Sequence, residues 1–111
     1  MPADDVLIVL THAPDRETAQ KIARALIEAR AAACVNILGA CASIYRWKGE
    51  IETAEEVPLL IKTRGGRYAE LEALLRRFHP YELPEIVAVP AVRGLPAYLD
   101  WVVAETDTDA A

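Results

Sequence analysis

The stretch from Cys34 to Thr63 constrains this chain more than any other. Its first arm reads Cys34-Val35-Asn36-Ile37-Leu38-Gly39-Ala40-Cys41-Ala42-Ser43-Ile44-Tyr45-Arg46-Trp47, and its second runs from Glu50 through Pro58 to Thr63, with Lys48-Gly49 between them. Glycine takes positive φ without a side-chain clash, so Lys48-Gly49 reads as a tight two-residue turn. Around it Ile44, Arg46 and Lys48 share one parity and Tyr45 and Trp47 the other, which is the period of a strand. At about 3.3 Å per residue each arm would span about 45 Å, whereas a domain of this size has a radius of gyration of about 13 Å. The arms must therefore bend, with Gly39 and Pro58 as the expected breaks, or project beyond their own sheet. A projecting two-stranded ribbon has open edges and is unstable alone. That points to a homo-oligomer whose other subunits cover it.

The 111 residues support one domain, read as 1–111 with an ordered core over 5–104 and a tail over 105–111. A hydrophobic content of 53% with 26% charged residues is that of a globular chain. The net charge of −5 leaves no basic surplus to neutralise phosphates, which argues against a nucleic-acid partner. No apolar run approaches the roughly 20 residues a membrane span needs, and Met1-Pro2-Ala3-Asp4-Asp5 has no signal-peptide character. Cys34 and Cys41 lie seven apart on what reads as one strand. Strict alternation puts them on opposite faces, too far apart for a disulfide, so a reducing, cytoplasmic setting is expected.

In chain order, Val6-Leu7-Ile8-Val9-Leu10 reads as a buried central strand ending at Thr11-His12-Ala13. Asp15 then caps a helix running to about Ala32, with its stripe at Ala19, Ile22, Ala23, Leu26 and Ile27. The hairpin follows. Beyond Gly65-Gly66 a second helix carries Tyr68, Leu71, Leu74, Leu75 and Phe78, and His79-Pro80 ends it. Glu85 to Val92 is a last strand, in which Pro90 marks an edge or bulge. Pro96 opens a third helix bearing Tyr98, Leu99, Trp101, Val102 and Val103. The tail from Thr106 is expected to fray. The order βαββαβ plus a terminal helix is the α+β, ferredoxin-like arrangement, with strand order 4-1-3-2 and both main helices on one face.

That topology gathers His12, Trp47-Lys48-Gly49, His79-Pro80-Tyr81 and Glu85 at one end of the sheet. Both histidines of the chain map there. Two imidazoles beside a carboxylate suit Cu²⁺ or Zn²⁺, although His79 equally suits a helix C-terminus and His12 a solvated loop. Lys62-Thr63-Arg64-Gly65-Gly66-Arg67 offers an anion site at a helix start, or simply a turn with its arginines in water. Tyr45, Trp47, Tyr81, Tyr98 and Trp101 would line a cleft or anchor a subunit interface. Glu50, Glu52, Glu55 and Glu56 read as a solvated hairpin edge. No nucleophile elbow or activated pair is legible, so catalysis is not expected.

Thr11-His12-Ala13-Pro14-Asp15, Ala32-Ala33-Cys34-Val35-Asn36-Ile37, Tyr45-Arg46-Trp47-Lys48-Gly49-Glu50-Ile51, Glu56-Val57-Pro58-Leu59-Leu60-Ile61-Lys62-Thr63 and His79-Pro80-Tyr81-Glu82-Leu83-Pro84-Glu85-Ile86 resemble, in order, the CutA divalent-cation tolerance proteins. The resemblance covers about Val6 to Val103. It implies a ferredoxin-like homotrimer in which long hairpins wrap neighbouring subunits, architectural kinship to the PII signalling proteins, and a link to copper and divalent-metal tolerance, or to protein anchoring in animals. In some bacterial members copper binding is assigned to a cysteine shortly before Ala-Pro-Asp and to a His-His pair before Pro-Tyr. Those positions hold Thr11, Phe78 and His79 here.

The leading expectation is a trimeric cytoplasmic protein of divalent-cation tolerance, needing no obligatory cofactor and contacting Cu²⁺ or another divalent cation through His79 and His12. Weaker ligand contacts are expected at Trp47, Tyr81, Glu85 and Lys62. The alternatives are a PII-like sensor of an anionic small molecule in an intersubunit cleft, or a trimeric structural adaptor.

Overall fold

The computed structural model describes residues 3–109. Five strands and three helices follow in the order β1 (Val6–Ala13), α1 (Arg16–Glu28), β2 (Cys34–Ile37), β3 (Cys41–Trp47), β4 (Glu50–Arg64), α2 (Tyr68–Phe78), β5 (Val87–Pro90) and α3 (Pro96–Glu105). The sheet order is β2-β4-β1-β5, antiparallel throughout, with β3 also paired to β4. Counting β2 and β3 as the two halves of one arm, this is the expected 4-1-3-2 order of the ferredoxin-like fold.

The two halves are separated by a bulge. Ile37 pairs with Leu59 and Cys41 with Glu56, so residues 38–40 oppose only residues 57 and 58. Gly39 lies in this break, as expected, but Pro58 does not interrupt its own strand: β4 runs unbroken for 15 residues. The Leu38 N–H donates to the Pro58 carbonyl at 2.9 Å. A strand residue's carbonyl and N–H point to the same side, so the donor that proline lacks falls at the interruption, where it is least needed. The extra residue also resets parity. Cys34 lies opposite Lys62 and Cys41 opposite Glu56, positions of one parity on β4, so the two cysteines share a face rather than opposing ones. They stay unpaired because about 20 Å of strand separates them.

On β4 the register puts Val57, Leu59, Ile61 and Thr63 on the face covered by α1 and α2, where they join Val9, Ala13, Ile22, Leu26, Leu71 and Leu75 in the core. α1 is capped by Asp15, whose carboxylate accepts from the Thr18 N–H at 2.7 Å. It ends at Glu28, four residues before the expected Ala32, because Arg30 turns left-handed at φ 55°. The alanines on either side gave no stop signal, since alanine favours helix. Arg67 completes that end by donating to the Ala29 and Arg30 carbonyls at 3.0 and 3.1 Å. Neither Arg67 nor Arg64 simply faces water: Arg64 Nε donates to Thr106 Oγ1 at 3.0 Å. Thr106, expected in the tail, is fully buried. Phe78, expected on the buried stripe of α2, is 45% exposed, because the stripe is satisfied by Leu71 and Leu75.

α3 covers one end of the opposite face, with Val102 buried beneath it. There, burial and the nearby Cys34 thiol push the Tyr98 phenol pKa up. The rest of this face is open, with Ile8 and Leu10 half-buried and Val87 and Val89 exposed. Beyond the bulge β4 pairs only with β3, and the ribbon turns at Lys48 (φ 50°) and Gly49 (φ 84°) as the sequence indicated. It stretches the molecule to 45 × 27 × 23 Å.

One core position is discordant. Thr11 is 1% exposed on the helix-covered face, and its Oγ1 has no hydrogen-bond partner among the described residues. An unpaired buried hydroxyl costs about 1–3 kcal/mol. Thr11→Val should therefore raise the unfolding free energy by about 1 kcal/mol, read as a higher denaturant midpoint at unchanged m-value.

Candidate functional site

The end of β1 is folded over by the loop of residues 79–86, and four contacts fix that loop. His79, 7% exposed, uses both ring nitrogens. Its Nε2 lies 2.6 Å from the His12 carbonyl, and its Nδ1 is 3.2 Å from the Tyr81 N–H. A carbonyl can only accept and an N–H can only donate, so the ring is neutral and protonated on Nε2. Further along, the Tyr81 hydroxyl donates to Glu56 Oε2 at 2.9 Å, and Glu85 Oε2 meets His12 Nδ1 at 3.2 Å. The Tyr81 and His79 rings stack at 4.6 Å in a tilted pair.

Over this loop and the root of the ribbon lies a groove of about 1150 Å³. It is lined by His12, Tyr45, Trp47, Glu56, Tyr81 and Glu85, together with Arg46, Glu82 and smaller residues. At the ribbon tip Lys48 sits over the Trp47 ring at 5.5 Å and reaches Glu82 at 3.8 Å. The expected convergence of His12, Trp47, Tyr81 and Glu85 is thus a single groove, with His79 beneath it as a brace. Lys62 lies elsewhere, opposite Cys34 and bonded to Asn36 Oδ1. Tyr98 and Trp101 pair with each other on α3, at 5.6 Å, and do not line the groove.

Two residues were not foreseen in these roles. Glu56 was read as part of a solvated edge, yet it is only 9% exposed. It occupies the first position of β4 beyond its pairing with β1, where the loop closes over it; the adjacent apolar run Val57-Pro58-Leu59-Leu60-Ile61 is the signal in the sequence. The second is Thr11. Because β1 continues through Ala13, alternation holds and Thr11 points into the core while His12 faces the groove side. The two cannot replace one another in a single ligand set.

Metal ligation can be weighed on these contacts. His79 would have to surrender a hydrogen bond to ligate. Phe78 offers no donor, and Thr11 Oγ1 is a neutral oxygen buried on the opposite face. Among the described residues no group of three or more His, Cys, Asp or Glu side chains is placed to hold an ion. The described residues of one chain therefore form no closed site for a divalent cation.

A ferredoxin-like chain with a ribbon reaching past its own sheet, and with a braced groove beside the ribbon, defines the structural class. The comparisons then place it. Residues 7–105 match the family model for the CutA1 divalent ion tolerance protein, and the chain belongs to that family. It is 46% identical over 95 residues to the divalent-cation tolerance protein CutA of Thermus thermophilus, spanning 86% of this chain and 92% of that protein. It is equally identical to the mouse protein CutA over 89 residues, but there it spans 80% of this chain and half of the mouse protein. Among solved structures, CutA of Xylella fastidiosa superposes with a TM-score of 0.90 at 44% identity, covering 93% of this chain and 99% of that one. The Archaeoglobus fulgidus protein, described as periplasmic, gives 0.89 at 37% identity, covering 92% and 99%.

Tyr81 gives the groove a measurable signature. Burial first, then its hydrogen bond to Glu56 and the Glu56 charge, push its pKa up from 10.0 to about 12. A group whose folded pKa is raised adds stability below its unfolded pKa, and that stability is lost as pH rises through the folded value. Tyr81 should thus ionise last among the tyrosines in an absorbance titration. Tyr81→Phe should remove that step and flatten the decline of stability between pH 10 and 12.

Proposed function

We propose that the chain is a non-catalytic subunit of a homotrimeric, cytoplasmic protein of divalent-cation tolerance. It contacts copper or another divalent cation through His12 at the groove, with His79 bracing it from behind. The observation that carries this reading is the His12–Glu85 pair at 3.2 Å. A carboxylate on one ring nitrogen orients an imidazole and raises the basicity of the other, which is the usual outer partner of a metal-bound histidine. With only these two donors in one chain, the contact is weak unless a second subunit adds to it. The open valine-bearing face and the unpartnered ribbon support the trimer, since both leave apolar surface and strand edges that a neighbour would cover. Two free cysteines fit a reducing compartment. Relatives named as tolerance proteins support the non-catalytic reading.

Calorimetric titration with Cu²⁺ at pH 7 tests it. Affinity should fall at least tenfold in His12→Ala and several-fold in His79→Ala, where the brace under His12 is gone. It should also weaken in the parent as the solution is made more acidic, because protons compete with the metal for its ligands. Equal affinity in the parent and both variants would overturn the assignment.

A further inference from the structure

Glu56 is a buried carboxylate without a counter-charge. It is 9% exposed, and its one hydrogen bond among the described residues comes from a neutral phenol, Tyr81, at 2.9 Å. No lysine, arginine or histidine nitrogen lies within 4.0 Å of it among those residues. A charge at that depth is ordinarily paired, because a single hydroxyl does not replace the water it has lost. Glu56 also lines the groove, so the missing partner has a route to it.

The rest of the lining specifies that partner. Glu82 and Glu85 add two further carboxylates. Against them stand Arg46, whose Nη1 donates to the Gly49 carbonyl at 3.4 Å, His12, which is already held by Glu85, and at the rim Lys48, which reaches Glu82 at 3.8 Å. The balance is acidic, which disfavours an anionic ligand. Three aromatic rings, Tyr45, Trp47 and Tyr81, share the walls. Aromatic faces attract cations carried on carbon chains, and they shelter the methylenes next to the charge. A bare metal ion would use the carboxylates and leave those rings without a role. The groove, at about 1150 Å³, has room for a small organic molecule.

We propose that this groove binds a small organic cation, an aliphatic amine whose ammonium seats on the Glu56 carboxylate while its alkyl chain lies against Tyr45, Trp47 and Tyr81. A second ammonium on the same chain would face Glu82 and Glu85. The site shares its groove, and Glu85, with the metal contact proposed at His12, but it needs no metal, and its key residue, Glu56, is one that the His12 reading does not use.

The test uses chelator-treated, full-length protein at low ionic strength. Trp101→Phe serves as the background, so that Trp47 alone reports by fluorescence and calorimetry gives stoichiometry. The probes are 1,4-diaminobutane, 1-aminobutane and, as the uncharged match, 1,4-butanediol. The diamine should bind saturably at one per chain and weaken with added salt, the monoamine should bind less tightly, and the diol should not bind. Glu56→Gln keeps an acceptor for Tyr81 while removing the charge, and should weaken the diamine at least tenfold at unchanged molecular mass. Glu82→Gln at the rim should change affinity less than threefold. The proposal is overturned if the diamine fails to saturate, if the diol binds as well as the diamine, or if Glu56→Gln binds like the parent. It is equally overturned if Glu56→Gln dissociates an oligomer, because the counter-charge would then come from a second copy of this chain. The comparison of diamine with diol is made on the parent groove and stands even if Glu56→Gln does not fold.

Discussion

Strand β4 is the constraint on which the rest depends. Its inner half is flanked by β1 and β2 and supplies the floor of the core through Val57, Leu59 and Ile61. Its outer half is flanked by β3 alone and carries the ribbon. One continuous strand can serve both purposes only if its partner arm breaks, and the extra residue at positions 38–40 is that break. A bulge lets the ribbon twist away from the sheet without disturbing the pairing on either side. Proline at position 58 fits the same geometry, since the donor it lacks would have pointed into the gap.

Much of this was legible from residue patterns. The Lys48-Gly49 turn, the cap at Asp15, the stop at His79-Pro80 and the start at Pro96 each rest on a local conformational preference, and each lies where the sequence put it. The errors came where tertiary context outweighed local preference. α1 stops early because Arg30 turns left-handed, and a guanidinium from outside the helix, that of Arg67, holds the carbonyls of that turn. Phe78 points outward because Leu71 and Leu75 already fill the space beneath α2. The cysteines share a face because a bulge adds one residue, and a count of alternation along one strand cannot register it.

The groove shows the same division. Topology sufficed to bring His12, Trp47, Tyr81 and Glu85 together, because the ends of elements meet wherever the fold sends them. It did not separate a histidine open to the groove from one locked under it, since that depends on which atoms point where. The two histidines prove complementary: the carbonyl of His12 is the acceptor that fixes the tautomer of His79. Glu56 was missed because four glutamates within seven residues look alike as text, and only one has a loop folded over it.

The ribbon also separates reach from folding. Every residue of the core cluster lies outside β3 and the outer half of β4, so the length of the hairpin is not tied to packing. The ribbon is thus a free variable in this architecture. Adding two residues to each arm at the Lys48-Gly49 turn would extend it by about 7 Å while keeping every side chain on its present face. Adding one to each arm would lengthen it by half as much and deliver the turn upside down. Length along this limb is therefore quantised in pairs, and a lineage could tune how far the ribbon reaches without renegotiating the interior.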